Sequence, residues 1–238
     1  MAMPHIRPLL GNSRRTWAEM TLAACVIVVV LTGLLFKGET RPDGFDNVVD
    51  SPVIAIFRAH SGFLPWFAWP GTLSSAIAIS AVIAAGCLIA KRPNGAVLAV
   101  AAVPAATGLD DGLLKHLFHR TYLGALSFPS GHTTSVTAMT ATLALLLLVP
   151  PQRARTRAVR AAVVAAACLI TVMVVIGVVG LRWHYFTDTV AGAAVGVGTV
   201  LGLALLLDLV TDAFGRSSTG PPRSPGSAQQ PARPHTPL

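Results

Sequence analysis

Three stretches of the chain carry side chains suited to handling a phosphate. They are Lys115 and Arg120, then Ser130-Gly131-His132, then Arg182, His184 and Asp188. His184 and Asp188 are four residues apart, a spacing that shares one face of a helix. A carboxylate that accepts from one ring nitrogen of a histidine fixes its tautomer and leaves the other nitrogen to attack. On this reading His184 attacks phosphorus and forms a phosphohistidine. His132 has no acid near it in sequence, so it is assigned to protonate the leaving oxygen and then to activate water. Lys115, Arg120 and Arg182 offset the charge on the equatorial oxygens. Ser130 and Gly131 open a helix, where free amides favour anions and glycine allows a close backbone approach. The scheme needs no metal and no cofactor. His116 and His119 have a spacing compatible with metal ligation, but no third ligand accompanies them. Asp111, four residues before Lys115, pairs with it most simply, and Asp110 has no role in the scheme. Plainer readings exist for the same groups: Arg120 as a lipid-phosphate contact, Arg182 as an interface anchor, the His184–Asp188 pair as a structural hydrogen bond.

The elements that position these residues are membrane spans. Of 238 residues, 53% are hydrophobic and 12% charged, against about 25% charged in a soluble domain. The apolar residues fall in blocks near the length that crosses a bilayer core. Six are expected, at about Met20–Phe36, Gly71–Ala90, Ala96–Phe118, Thr133–Val149, Ala161–Leu181 and Thr187–Leu207. Backbone groups in lipid must be satisfied within their own segment, so each is read as helix. The fold class is all-α, an integral membrane six-helix bundle with a short interfacial helix between spans one and two. That helix is placed within 37–68, where Trp66 and Trp69 suit the headgroup layer. The domain reading is an N-terminal arm over 1–19, a six-span domain over 20–210, and a Pro-, Ser- and Gly-rich disordered tail over 211–238.

The net charge of +8 is a topology signal, because the basic residues sit between apolar blocks and not in one patch. Arg7, Arg14 and Arg15, then Lys91 and Arg92, then Arg153, Arg155, Arg157 and Arg160, then Arg216, Arg223 and Arg233 occupy alternate connections. Positive-inside logic puts all four connections and both termini in the cytoplasm. The phosphate-handling residues then fall on the extracytoplasmic side. Ser13-Arg14-Arg15 precedes no small-residue cleavage site, so the first span is read as uncleaved. Cys25, Cys87 and Cys168 lie singly in apolar runs and are read as buried thiols.

In order and spacing, these motifs resemble those of the type 2 phosphatidic acid phosphatase superfamily. Its signatures are K-x6-R-P, P-S-G-H and S-R-x5-H-x3-D. Here Lys115 starts the first, Pro129-Ser130-Gly131-His132 completes the second, and His184-x3-Asp188 ends the third. The family arginine and proline of the first signature fall on Tyr122 and Leu123, and the arginine of the third falls on Val178. Arg120 and Arg182 are the nearest replacements, Arg182 about one helical turn beyond Val178 on the same face. The resemblance, over about residues 20–210, implies hydrolysis of a lipid phosphate or diphosphate monoester. The alternatives are a catalytically impaired lipid-binding or transport protein of the same fold and, less compatibly with six spans, a vanadium-dependent haloperoxidase. The expected partners are a lipid phosphate substrate and membrane lipids, with no nucleic acid and no protein partner.

Overall fold

The computed structural model describes residues 8–59, 61–149 and 154–218. The first long helix, α1 (Asn12–Leu35), leads to α2 (Gly44–Phe57), which lies across the end of the bundle. Short helical turns and α3 (Leu64–Ala68) then run into α4 (Leu73–Ile89). Next come α5 (Pro93–Leu109), a π-helical turn (Asp110–Leu114) and α6 (Lys115–Phe118). A two-stranded hairpin, β1 (Thr121–Tyr122) and β2 (Ala125–Leu126), precedes α7 (Gly131–Leu148), α8 (Ala154–Gly180) and α9 (Phe186–Ser218).

Five helices among the described residues are long and apolar enough to cross a membrane. A sixth follows if Ser61–Gly71 and Leu73–Ile89, which meet at 46°, count as one bent span. The chain is therefore a multi-pass helical membrane protein. The helices outrun the apolar blocks that mark them: α1 begins at Asn12, α8 at Ala154, and α9 continues to Ser218. Hydropathy ends where charge begins, but a helix satisfies its own backbone on both sides of that line. Residues 211–218, assigned above to a disordered tail, are thus helical, and 219–238 lie outside the described residues.

The hub is α7, which packs against α5, α8 and α9, while α1 is applied to the outside of α9. Burial agrees: 61% of the apolar stretch of α7 is buried, against 17% of that of α1. Close approach of α7 and α9 depends on Gly192 and Gly196. A Cβ at Gly192 would lie 2.6 Å from the Ser130 carbonyl oxygen, and one at Gly196 2.7 Å from that of Thr134. Small residues four apart permit this contact between membrane helices.

The end of the bundle away from α2 is tied by polar contacts. Leu9 and Leu10 donate their amides to the buried Asp208 carboxylate at 2.6 and 2.9 Å. Arg15 pairs with Asp212 at 2.6 Å, Arg14 donates to the Val149 carbonyl, and Arg92 donates to that of Leu146 at 2.9 Å. The N-terminal arm, the α4–α5 link and the ends of α7 and α9 therefore share one end.

Candidate active site

At the other end, a cavity of about 550 Å³ is lined by residues from five segments. Lys115 comes from α6, Gly131 and His132 from the start of α7, and Arg182, Trp183 and His184 from the α8–α9 turn. Gly71 and Tyr122 are also in its wall. Five of the eight sequence-derived candidates thus meet: Lys115, Gly131, His132, Arg182 and His184. Ser130, Asp188 and Arg120 are fully buried and stand behind the wall.

The His132 and His184 rings are 6.3 Å apart between centroids, and Trp183 lies 5.3 Å from His132. His184 precedes α9 by two residues, so it does not share a helical face with Asp188 as the spacing suggests. Its Nδ1 is 2.8 Å from the Ser127 carbonyl oxygen and 3.9 Å from Asp188 Oδ2. A carbonyl only accepts, so Nδ1 carries the proton and Nε2 keeps its lone pair. The tautomer is set by Ser127, not by Asp188. Burial, with help from the charge of Lys115, pushes the His184 imidazole down to about 3, so the ring is neutral at physiological pH.

Asp188 instead organises the turn. Its Oδ2 accepts from the Tyr185 amide at 3.0 Å, the reach-back bond of a helix start. Its Oδ1 accepts from Arg120 Nη1 at 2.7 Å, and its carbonyl accepts from the Ser130 amide at 3.0 Å. That last bond fixes the beginning of α7 against α9, where Ser130 is the N-cap residue. First-turn amides of a helix have no intrahelical acceptor, and at Gly131 this end opens on the cavity.

Arg120, expected to hold phosphate, is committed elsewhere. Nη2 donates to Asp46 at 2.6 Å, and Nη1 to Thr187 Oγ1 at 2.6 Å as well as to Asp188. The guanidinium lies 4.3 Å from the ring centroids of both Phe36 and Tyr185. Its burial opposes the charge, yet Asp188 and Asp46 raise its pKa overall.

Arg182 does reach the cavity, though not from one turn further along α8. The helix ends in a Schellman turn: Trp183 N donates to Val178 O at 3.0 Å and Arg182 N to Val179 O at 2.9 Å. Arg182 takes the left-handed position of that turn, with φ 58°, where glycine is usual. Val178, which stands where the family signature has arginine, is buried in the core. Lys115 Nζ is 2.6 Å from Asp111 Oδ1, the pairing expected from the sequence, and 3.9 Å from Asp110 Oδ1. The fully buried Asp110 accepts from Thr134 Oγ1 at 2.5 Å. His116 and His119 stand 6.5 Å apart between ring centroids, and no cluster of three metal-ligating side chains occurs among the described residues.

Sequence reasoning missed Asp46, Thr187 and the Ser127 carbonyl. The available hint was Asp46 with Asp50, two acids four residues apart and the only charged residues of α2.

A multi-span helical bundle with two histidines, a lysine, an arginine and a helix start around one end cavity defines a class, the membrane phosphatase-type fold. The chain belongs to the PAP2 superfamily, whose family model matches residues 72–211. A similar solved structure is described as the first transmembrane PAP2 type phosphatidylglycerolphosphate phosphatase, from Bacillus subtilis. The two share 17% identity and a TM-score of 0.59, over 84% of this chain and 98% of that one. Comparison by sequence with curated proteins gives no match.

Proposed function

We propose that this protein hydrolyses a lipid phosphate or diphosphate monoester at the extracytoplasmic face through a phosphohistidine on His184. The observation that carries the reading is His184, its Nδ1 held by the Ser127 carbonyl and its ring beside His132, in a cavity that also receives Lys115 and Arg182. His184 Nε2 attacks phosphorus as the bond to the leaving oxygen breaks. Protonated His132 gives its proton to that oxygen. In the second step His132 takes a proton from water, whose oxygen displaces His184 from phosphorus. Lys115, Arg182 and the Gly131 amide offset the charge on the equatorial oxygens. Arg120 and Ser130 are given supporting roles behind the wall, without phosphate contact.

Membrane placement follows from charge. The arm with Arg14 and Arg15, the link with Arg92 and the ends of α7 and α9 share the end away from the cavity. Positive-inside logic makes that end cytoplasmic. The cavity wall adds Leu73, Leu123, Leu126 and Trp183, a lining suited to the apolar part of a lipid. The relative's phosphatidylglycerolphosphate is one candidate substrate, and phosphatidic acid and polyprenyl diphosphate share its reacting chemistry.

A second reading, lipid binding without turnover, draws on the commitment of Arg120 to carboxylates and on Val178, which leave Lys115 and Arg182 to face the cavity. Phosphate release by purified protein from a panel of lipid phosphates, with chelator present, separates the two. Turnover in chelator that is lost in His184→Ala supports hydrolysis, and no release from any of them supports binding alone.

A further inference from the structure

We propose that the surface helix α2 is part of the catalytic unit, with Asp46 a positioning residue that acts on the His184–Asp188 turn through Arg120 and Thr187. This rests on the phosphohistidine reading above.

Asp46 is fully buried, and both its oxygens are in use. Oδ1 accepts from the Thr187 amide at 3.0 Å. Oδ2 accepts from Arg120 Nη2 at 2.6 Å and from Thr187 Oγ1 at 2.9 Å. Thr187 Oγ1 in turn accepts from Arg120 Nη1, which also donates to Asp188. The three side chains close a ring, and Asp188 hangs from the same guanidinium nitrogen. One turn along α2, Asp50 accepts from the Phe186 amide at 3.2 Å. The first amides of α9 have no acceptor within their own helix, and α2 supplies the carboxylates for Phe186 and Thr187. His184 immediately precedes this clamped turn. Negative groups at a helix start also suit its dipole.

The ring is chemically exacting. A carboxylate can accept from three donors at once, but an amide presents one oxygen and one NH2. Asparagine at 46 would aim its NH2 either at the Thr187 amide or at Arg120, so a donor would face a donor. The remaining acid near Arg120 Nη2 is Glu39, at 3.5 Å. Arg120 would then shift towards Asp188 and disturb the bonds from that aspartate to Tyr185 and, through its carbonyl, to Ser130. These bonds set the relative positions of His184 and the start of α7, hence the distance to phosphorus. The face of α2 turned away from Asp46 and Asp50 exposes Val48, Pro52 and Ala55, which suits a membrane surface, while Phe45 lies beside Phe186 at 6.2 Å between ring centroids. One helix therefore meets lipid on one side and the catalytic turn on the other.

The test compares wild type, Asp46→Asn, Thr187→Val, Val48→Ala and His184→Ala, each purified whole in detergent. A lipid phosphate and a small soluble phosphate ester serve as substrates. Thr187→Val keeps every charge and nearly the same shape, so it reports even if Asp46→Asn fails to fold. Positioning errors near an ångström cost up to about 10²-fold. We expect kcat per folded protein to fall roughly 10- to 10²-fold in both ring variants. KM should stay within about twofold, and phosphoenzyme formation should slow by the same factor. The loss should match on both substrates, and Val48→Ala should behave as wild type. Normal kcat in both ring variants, or a loss confined to KM, overturns the role of Asp46 while an inactive His184→Ala leaves the parent reading standing. A fully active His184→Ala instead removes both.

Discussion

Replacing Arg182 by glycine should make the protein more stable and much less active. Arg182 sits at φ 58° at the left-handed position of the turn that ends α8. A non-glycine residue there bears roughly 1–2 kcal/mol of backbone strain. Glycine relieves it, partly offset by about 0.5–1 kcal/mol of added chain entropy in the unfolded state. The side chain is exposed and makes no ion pair among the described residues. Little else in the fold depends on the side chain, so the net gain is about 0–1.5 kcal/mol, a rise of no more than about 3–6 °C in the midpoint of thermal unfolding. Turnover moves the other way. Loss of one preorganised charge donor costs about 10²–10³ in kcat, equivalent to about 2.7–4 kcal/mol of transition-state stabilisation. The assay is phosphate release from a lipid phosphate by each purified variant, together with a thermal melt. Arg182→Ala should lose the same activity without the gain in stability, and Val178→Ala should leave the cavity's cations in place and retain turnover. If Arg182→Gly turns over within about threefold of wild type, the guanidinium does not serve the reaction and the reasoning fails.

If Lys115 binds the substrate phosphate as proposed, the 60% exposed Asp111 competes for it, so Asp111→Asn should lower KM a few-fold with kcat unchanged; a higher KM would show that Asp111 holds Lys115 in place. By ¹⁵N NMR, His184 should stay neutral and Nδ1-protonated from pH 8 down to about pH 4, and titration near 6.5 would contradict the burial that keeps the ring uncharged. The linkage has a definite sign: between the ordinary value of 6.5 and about 3 the unfolded chain binds a proton that the folded one refuses, so this site lowers stability as pH falls through that window. Gly192→Ala should cost about 1–3 kcal/mol and reduce kcat, because its Cβ would press on the Ser130 carbonyl; a melt and rate equal to wild type would show that α7 and α9 have room to part.

The spans and the end at which the chemistry gathers were legible in the sequence, because bilayer thickness and charge placement leave large, local signals. Five of the eight candidate residues reach the cavity for the same reason: motifs at span ends on one side must converge. What the sequence could not reveal depends on backbone and on distance. The acceptor that fixes the His184 tautomer is the Ser127 carbonyl, and every residue has a carbonyl. Arg120 has the right charge and nearly the right spacing, but nothing local says whether it faces the cavity or the carboxylates behind it. Its partner Asp46 is 74 residues away, and Asp46 in turn meets Thr187 across 141. A short helix between the first two spans was expected and is present as α2, but only the spacing of Asp46 and Asp50 hinted that it meets the turn before α9. Arg182 was expected one turn along α8, whereas the helix stops first and turns the residue into the cavity through a left-handed conformation.

The central claim is that His184 carries the phosphoryl group and His132 handles protons, and rapid acid-stable quench is unsuited to an acid-labile phosphoramidate. Wild type, His184→Ala and His132→Ala should therefore be mixed with a labelled lipid phosphate, denatured at alkaline pH and digested, and the labelled peptide sequenced. Label is expected on His184 in wild type, none in His184→Ala, and in His132→Ala a phosphohistidine that accumulates when the leaving group is a nitrophenolate, since that departure needs no proton. Label that persists in His184→Ala and vanishes in His132→Ala would show the two roles to be reversed.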